Sequence, residues 1–313
     1  MIIQAVDFAS RGPLSIVQIG TSDQDAFRYI SGAAAAASAK LEILELEGGA
    51  SVNEIAILNA SEEFVFLMDA DILAGAKQNR VVNASVLLAP HSKTRVPVSC
   101  VERGRWHFTS GKFRTSDFVA PSSLRSSKAD KIRESLNQKA GHFADQGEIW
   151  ARVDHMAAGH KVSSSTANLS DVYEAKMRDF DSFVGALKPT APANGLAVFL
   201  GKDLMAVDLF HRRDIYAEYF PRLLRAAAFE AQLVADQKTA TPEAEAKYRS
   251  TEFLEGIEGA DAEEFPGVGV GKEKRFSHQS LDGFQLVHGG HTIHLAAFRK
   301  AEGHGAQKGR RVQ

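Results

Sequence analysis

The first hundred residues break into short apolar runs separated by turn residues, and this segmentation restricts the fold more than any other feature of the chain. Residues 14–19 follow Pro13 and end at Gly20, and residues 41–46 precede Gly48-Gly49. Residues 52–58, 64–68, 81–88 and 94–101 follow at close intervals. Such runs are too short for core helices and have the length of strands. Residues 64–68 (Phe-Val-Phe-Leu-Met) are apolar throughout, as in a strand buried on both faces. In residues 52–58, Ile55 and Ile57 share a face. The alanine-rich residues 25–40 read as the one helical interruption. Strands at this spacing predict a sandwich-like or barrel-like sheet unit over residues 1–108.

After Trp106 the period changes. Residues 110–127, rich in serine and basic side chains, read as irregular. Asp145-Gln146-Gly147-Glu148 has the form of a capping box, followed by a stripe of Ile149, Trp150, Val153 and Met156 and a stop at Gly159. Ser170 is placed to cap a helix whose apolar residues Tyr173, Met177, Phe180, Val184 and Leu187 recur every three or four positions. Asn194-Gly195 opens a hairpin of residues 196–200 and 204–210 about Gly201-Lys202-Asp203. Residues 213–235 read as helix, with a kink or a new start expected at Pro221. Thr241-Pro242-Glu243 opens another helix. Residues 283–288 and 291–298 form a hairpin around Gly289-Gly290, with Leu286 expected opposite Ile293 and Phe284 opposite Leu295. The fold class is therefore α+β: a β-rich, sandwich-like unit over residues 1–108, then a mainly helical half with one or two β-hairpins packed on it over residues 109–300. Residues 301–313, with Lys308, Arg310 and Arg311, read as a disordered tail.

A net charge of -2 gives no overall field to draw nucleic acid or an anionic membrane, so neither is an expected partner. Charge is uneven along the chain: residues 103–139 are mainly basic and residues 252–264 acidic. Two solvated faces are the plainer account of this, and an anion-binding surface is the other. The one cysteine, Cys100, excludes an intrachain disulfide and fits a reducing compartment. The N-terminal residues lack a basic stretch followed by an apolar one, and no apolar run approaches the roughly 18 residues that cross a bilayer. The expected location is the cytoplasm.

The densest polar segment between apolar runs is Lys77-Gln78-Asn79-Arg80. Its donors at a strand end suit an anionic or amide-rich ligand; a solvated loop with Asn79 capping a turn is the plainer reading. A second cluster runs from Ser99 to Trp106. There Glu102 is a candidate general base and Arg105 a candidate carboxylate or phosphate clamp, unless the two form a structural ion pair with Trp106 as an aromatic plug. Cys100 alternates with Val98 and so belongs in the core, where a thiol is slow to react. His288, His291 and His294 lie on a hairpin with His294 facing away from the other two, which makes a poor metal site, and no metal is expected. Residues 267–272 lack both the strand context and the hydroxyl residue of a phosphate loop.

The stretches Gly75-Ala76-Lys77-Gln78-Asn79-Arg80, Asn83-x-Ser85-Val86 and Pro97-Val98-Ser99-Cys100-Val101-Glu102-x-Gly104-Arg105-Trp106 resemble a bacterial and archaeal family. Weaker likeness extends to residues 145–150 and 206–210. The family is the one named for its association with ADP-ribosylglycohydrolases (ARG) and the rhodanese-phosphatase superfamily. The resemblance implies a role beside nucleotide or ADP-ribose chemistry, in a stress or conflict system, and implies no reaction or cofactor. The first functional reading is a protein that binds or acts on a nucleotide- or ADP-ribose-like anion. Lys77 and Glu102 would then be the catalytic candidates, and Gln78, Asn79, Arg80, Arg105, Trp106, Gln146 and Asp208 would contact the ligand. The second reading is a noncatalytic module that docks a protein partner.

Overall fold

The computed structural model describes residues 2–22, 24–46, 53–234 and 239–300; the tail expected at residues 301–313 lies outside them. The chain opens with a hairpin of β1 (Ile3–Arg11) and β2 (Leu14–Thr21), the latter buried along its whole length. A two-residue strand β3 (Ile30–Ser31) leads into the helix α1 (Gly32–Ala37). Strands β4 (Leu41–Glu45), β5 (Glu54–Asn59), β6 (Val65–Leu67), β7 (Asp71–Gly75), β8 (Arg80–Val82), β9 (Val86–Leu88), β10 (Ser92–Cys100) and β11 (Phe113–Val119) follow. Three helices, α2 (Ser122–Asn137), α3 (Gln146–Gly159) and α4 (Leu169–Ala186), precede the hairpin β12 (Gly195–Leu200) and β13 (Asp203–Phe210). Helices α5 (Arg213–Gln232) and α6 (Glu243–Ile257) come next. Strands β14 (Ala262–Pro266), β15 (Val268–Gly269), β16 (Lys272–His278), β17 (Leu281–His288) and β18 (His291–Arg299) close the chain.

These strands build three sheets. Strands β10-β5-β4-β11-β7-β8 close into a barrel, filled by residues such as Ile43, Ile55, Ile57, Val82, Val96 and Val98. A small sheet, β15-β9-β6-β3, lies beside it, and an eight-stranded antiparallel sheet runs in the order β1-β2-β12-β13-β18-β17-β16-β14. The fold is α+β, and of the two arrangements that the strand spacing allowed for the N-terminal region the barrel is adopted, with five of its six strands before residue 108. Pairing crosses residue 108 in both directions. The hairpin β1–β2 joins β12 of the later half, and β11 completes the barrel of the earlier half. Helices α5 and α6 lie on the eight-stranded sheet, where Tyr216, Phe220 and Leu224 of α5 and Phe253 of α6 are buried.

Several local expectations need correction, each for a tertiary reason. The helix over residues 25–40 is only α1, because residues 25–29 are bound elsewhere: Asp25 N donates to the His211 carbonyl, Phe27 N to His211 Nε2, and Tyr29 Oη to the Ile293 carbonyl. Residues 110–127 are not irregular but form β11 and the start of α2. Helix α2 escapes a hydrophobic-period reading because Arg125, Ser126, Ser127 and Lys128 are buried beside Leu124, Ile132 and Leu136 and interrupt the apolar period. Its N-terminus is capped by a residue distant in sequence: the Glu230 carboxylate accepts from Ser122 N (3.0 Å), Ser123 N (2.7 Å) and Ser122 Oγ (2.5 Å). Asp145 does cap α3 by accepting from Glu148 N, yet the Glu148 carboxylate turns to Ser127 instead of closing a box. Asn168, two residues before Ser170, caps α4. Helix α5 is continuous across Pro221, so of the two expectations there no second helix starts. In the last hairpin a bulge between Leu286 and Val287 shifts the register, so Leu286 faces His294 and Phe284 faces Ala296. The later half also holds more sheet than expected, since β14 and β16 extend that hairpin.

Candidate functional site

The polar segment Gly75–Arg80 and the segment Glu102–Ser110 are brought together by one side chain. Arg105 lies buried between them. Its Nε donates to Glu102 Oε1 (2.9 Å) and Nη2 to Glu102 Oε2 (2.6 Å). Nη1 donates to the carbonyls of Ala76 (2.7 Å) and His107 (3.1 Å) and to Thr109 Oγ1 (3.1 Å). Nη2 also reaches Asn79 Oδ1 and the Gly75 carbonyl. Every nitrogen of the guanidinium is thus engaged inside the protein. Glu102 is equally occupied, accepting in addition from Asn79 N (3.0 Å) and Thr166 Oγ1 (3.0 Å). Burial by itself would raise the Glu102 pKa, but the hydrogen bonds from Arg105, Asn79 and Thr166 outweigh it and hold the carboxyl below its usual range. A carboxylate kept ionised in this way is a poor proton acceptor near neutral pH. The pair is a clasp that fixes two loops.

The remaining predicted residues fall into three groups. Gln78 and Asn79 belong to the clasp. Gln78 donates to the Arg103 carbonyl, and Asn79 Nδ2 reaches Asn168 Oδ1 and Ser170 Oγ at the start of α4. Arg80 and Gln146 flank Cys100. Arg80 Nη1 contacts Cys100 Sγ, and its Nη2 lies 3.6 Å from Glu45. Gln146 brackets the Cys100 backbone, accepting from its N–H and donating to its carbonyl, each at 2.8 Å. Burial pushes the Cys100 thiol up, only partly opposed by Arg80, in keeping with a core cysteine. Lys77 and Trp106 form the third group, on the outer surface. Lys77 Nζ lies 5.4 Å from the ring centroid of Trp106 and 5.2 Å from that of Phe108. These rings are 54% and 57% exposed, unusual for side chains of their size.

Asp208 is not part of this assembly. It sits in a buried charge network where α2 meets two of the sheets. Arg125 bridges Asp208 (2.6 and 2.9 Å) and Asp69 (2.8 and 3.2 Å). His294 Nε2 lies 3.2 Å from Asp208 Oδ1, and its Nδ1 lies 2.8 Å from Ser85 Oγ. Burial would raise the Asp208 pKa, but Arg125 and His294 lower it to about 2. Lys128 Nζ donates to the carbonyls of Asp69 and Val82, and burial lowers its pKa to about 7. A neutral amine has two N–H bonds, which match these two carbonyls. Ser85, His294 and Asp208 have the residue types of a hydrolytic triad, yet all three are closed off from solvent and Asp208 is committed to Arg125. The network is a structural joint. Among the described residues, no group of three or more His, Cys, Asp or Glu side chains could hold a metal ion.

Between the clasp and the start of α4 lies a polar cleft of about 730 Å³. Its walls are the end of β7, residues 109–118 including β11, and Asn168, Ser170 and Glu174 of the α4 start. The cleft lies where the barrel pairing is irregular, between Thr115 and Val119 of β11 against β7. Two cations stand on the wall. Lys112 pairs with Glu42 at 2.6 Å, whereas the exposed Arg114 side chain makes no hydrogen bond or ion pair among the described residues. Sequence reading missed Arg114, Phe108 and Asn168. Asn168, a strong capping residue just ahead of Leu169, was the one with a visible signal; nothing in sequence sets Arg114 apart from neighbouring basic residues.

Fold and site together define an α+β protein with a barrel, a helix-backed antiparallel sheet and a polar cleft at the barrel seam. The chain belongs to the ARG and Rhodanese-Phosphatase-superfamily-associated Protein domain family, whose pattern it matches over residues 3–298. Neither a curated protein nor a solved structure matches it. None of the described helices is long and apolar enough to cross a membrane.

Proposed function

We propose that this protein binds a nucleotide- or ADP-ribose-like anion in the cleft at the barrel seam. The observation that carries the reading is Arg114, an arginine without an internal partner among the described residues, on the wall of a polar cleft large enough for a small molecule. The clasp shapes the cleft without touching the ligand through Arg105, and Asn79 lines its edge while bonded to Arg105, Asn168 and Ser170. Binding is favoured over catalysis because Glu102, the candidate base, is ionised and fully hydrogen-bonded. The family's name connects it to enzymes of ADP-ribose and phosphoester chemistry, and a supporting role in a stress or conflict system is consistent with a ligand of this class. The single buried thiol suits the cytoplasm.

A thermal-shift and calorimetric comparison of ADP-ribose, ADP and ribose 5-phosphate tests the reading. At least one should raise the melting temperature, and Arg114→Ala should remove that rise while leaving the unliganded melting temperature unchanged. No binding by any of the three, or binding indifferent to Arg114, would overturn it. The second reading, a noncatalytic protein-interaction module, is favoured by the exposed Trp106 and Phe108. It gains if those rings are needed for capture of a protein partner and the small anions are inert.

A further inference from the structure

Lys77 and the exposed rings of Trp106 and Phe108 border the cleft without lining it. The Lys77 ammonium lies over the rings of both Trp106 and Phe108, and among the described residues it has no carboxylate partner. Both rings stand on the segment that Arg105 ties to residues 75–79, and Thr109 and Ser110, the next residues, line the cleft. An exposed aromatic face is what a nucleobase needs, and such stacking tolerates any base. An ammonium over the same face competes for it, with an advantage of about two- to fivefold at an exposed site.

Resting on the reading of the cleft as an anion site, we infer that Lys77 is a specificity-determining latch on the Trp106–Phe108 pair, admitting nucleotides and discouraging nucleosides. A base that stacks on these rings displaces the ammonium. A nucleoside then leaves Lys77 without a partner. A nucleoside diphosphate supplies one, because its phosphate oxygens accept a charge-assisted hydrogen bond stronger than the lost ring contact. The lysine can swing without disturbing the loop, since the segment is held by its backbone: Ala76 O accepts from Arg105, and Lys77 N donates to Glu45 Oε1.

The test titrates the wild type, Lys77→Met and Lys77→Arg with ADP and with adenosine by calorimetry. Lys77→Met keeps the apolar stem and should melt at the wild-type temperature. It should bind adenosine two- to fivefold more tightly than the wild type and ADP about tenfold more weakly. Lys77→Arg should keep the wild-type order. If Lys77→Met leaves both affinities unchanged, or weakens both alike, the latch is wrong. The cleft reading then still stands, provided Arg114→Ala lowers the ADP affinity. If ADP does not bind the wild type the latch is wrong, and if ADP-ribose and ribose 5-phosphate also fail to bind the cleft reading falls with it.

Discussion

Arg105 and Arg114 show how differently two arginines nine positions apart can be used. Arg105 is enclosed by Glu102 and by acceptors on both loops, so Arg105→Ala leaves a buried carboxylate without its counter-charge. A loss of about 3–5 kcal/mol in unfolding free energy is expected, readable by urea titration, whereas Arg114→Ala should leave stability within about 0.5 kcal/mol. Lys128 allows a pH prediction. Its folded-state pKa is lowered to about 7 by burial, so between about pH 7 and the ordinary lysine range near 10.4 the unfolded chain binds more protons than the folded protein. Unfolding free energy should therefore rise with pH from 7 to 9, and Lys128→Met should flatten that slope in urea titrations across the window. Asp208 acts at the other end. With its pKa held at about 2, the stability it contributes is present above the ordinary aspartate pKa and is lost as pH falls from about 4 towards 2.

At the level of elements, α2 is held by groups outside itself. No side chain caps it from within, and Glu230 of α5 takes the exposed N–H groups of Ser122 and Ser123. Glu230→Ala should cost about 1–2 kcal/mol. Hydrogen exchange should show the first turn of α2 losing protection, while the far end of the barrel is unchanged. If protection in residues 122–125 is unaffected, the cap is not what holds the helix. The β11 strand carries the complementary lesson. Its irregular pairing with β7 borders the cleft, so the same weakness that leaves the barrel poorly sealed there leaves room for a ligand.

Across the whole molecule, Arg125 of α2 ties Asp208 and His294 of the eight-stranded sheet to Asp69 and Ser85, which lie in the connections between the small sheet and the barrel. The hairpin β1–β2 shares its apolar layer with β12 and α6, and the barrel is closed only by β11. A fragment ending at residue 108 would lack β11 for its barrel and β12 for its first hairpin. It should give no cooperative unfolding transition, and the intact chain should unfold in one step by circular dichroism and fluorescence alike. A fragment that melts cooperatively would show the earlier half to be independent.

Sequence alone determined the elements whose apolar residues follow a local period. Helix α4, the hairpin β12–β13, the buried run around Phe66 and the core position of Cys100 were all legible, because hydrophobic burial leaves a spacing of two or of three to four. The meeting of Gln78, Asn79, Glu102 and Arg105 was legible only as a grouping of polar residues near strand ends. What each does was not. Tertiary structure decided that Arg105 is spent inside while Arg114 faces the cleft, that Asp208 belongs to a separate core network, and that α2 exists at all. The physical reason is the same in each case. A buried charge must find its counter-charge and hydrogen bonds across the fold, and partners such as Glu230 for Ser122, or Asp208 for Arg125, are separated by many residues and leave no periodic trace in the chain.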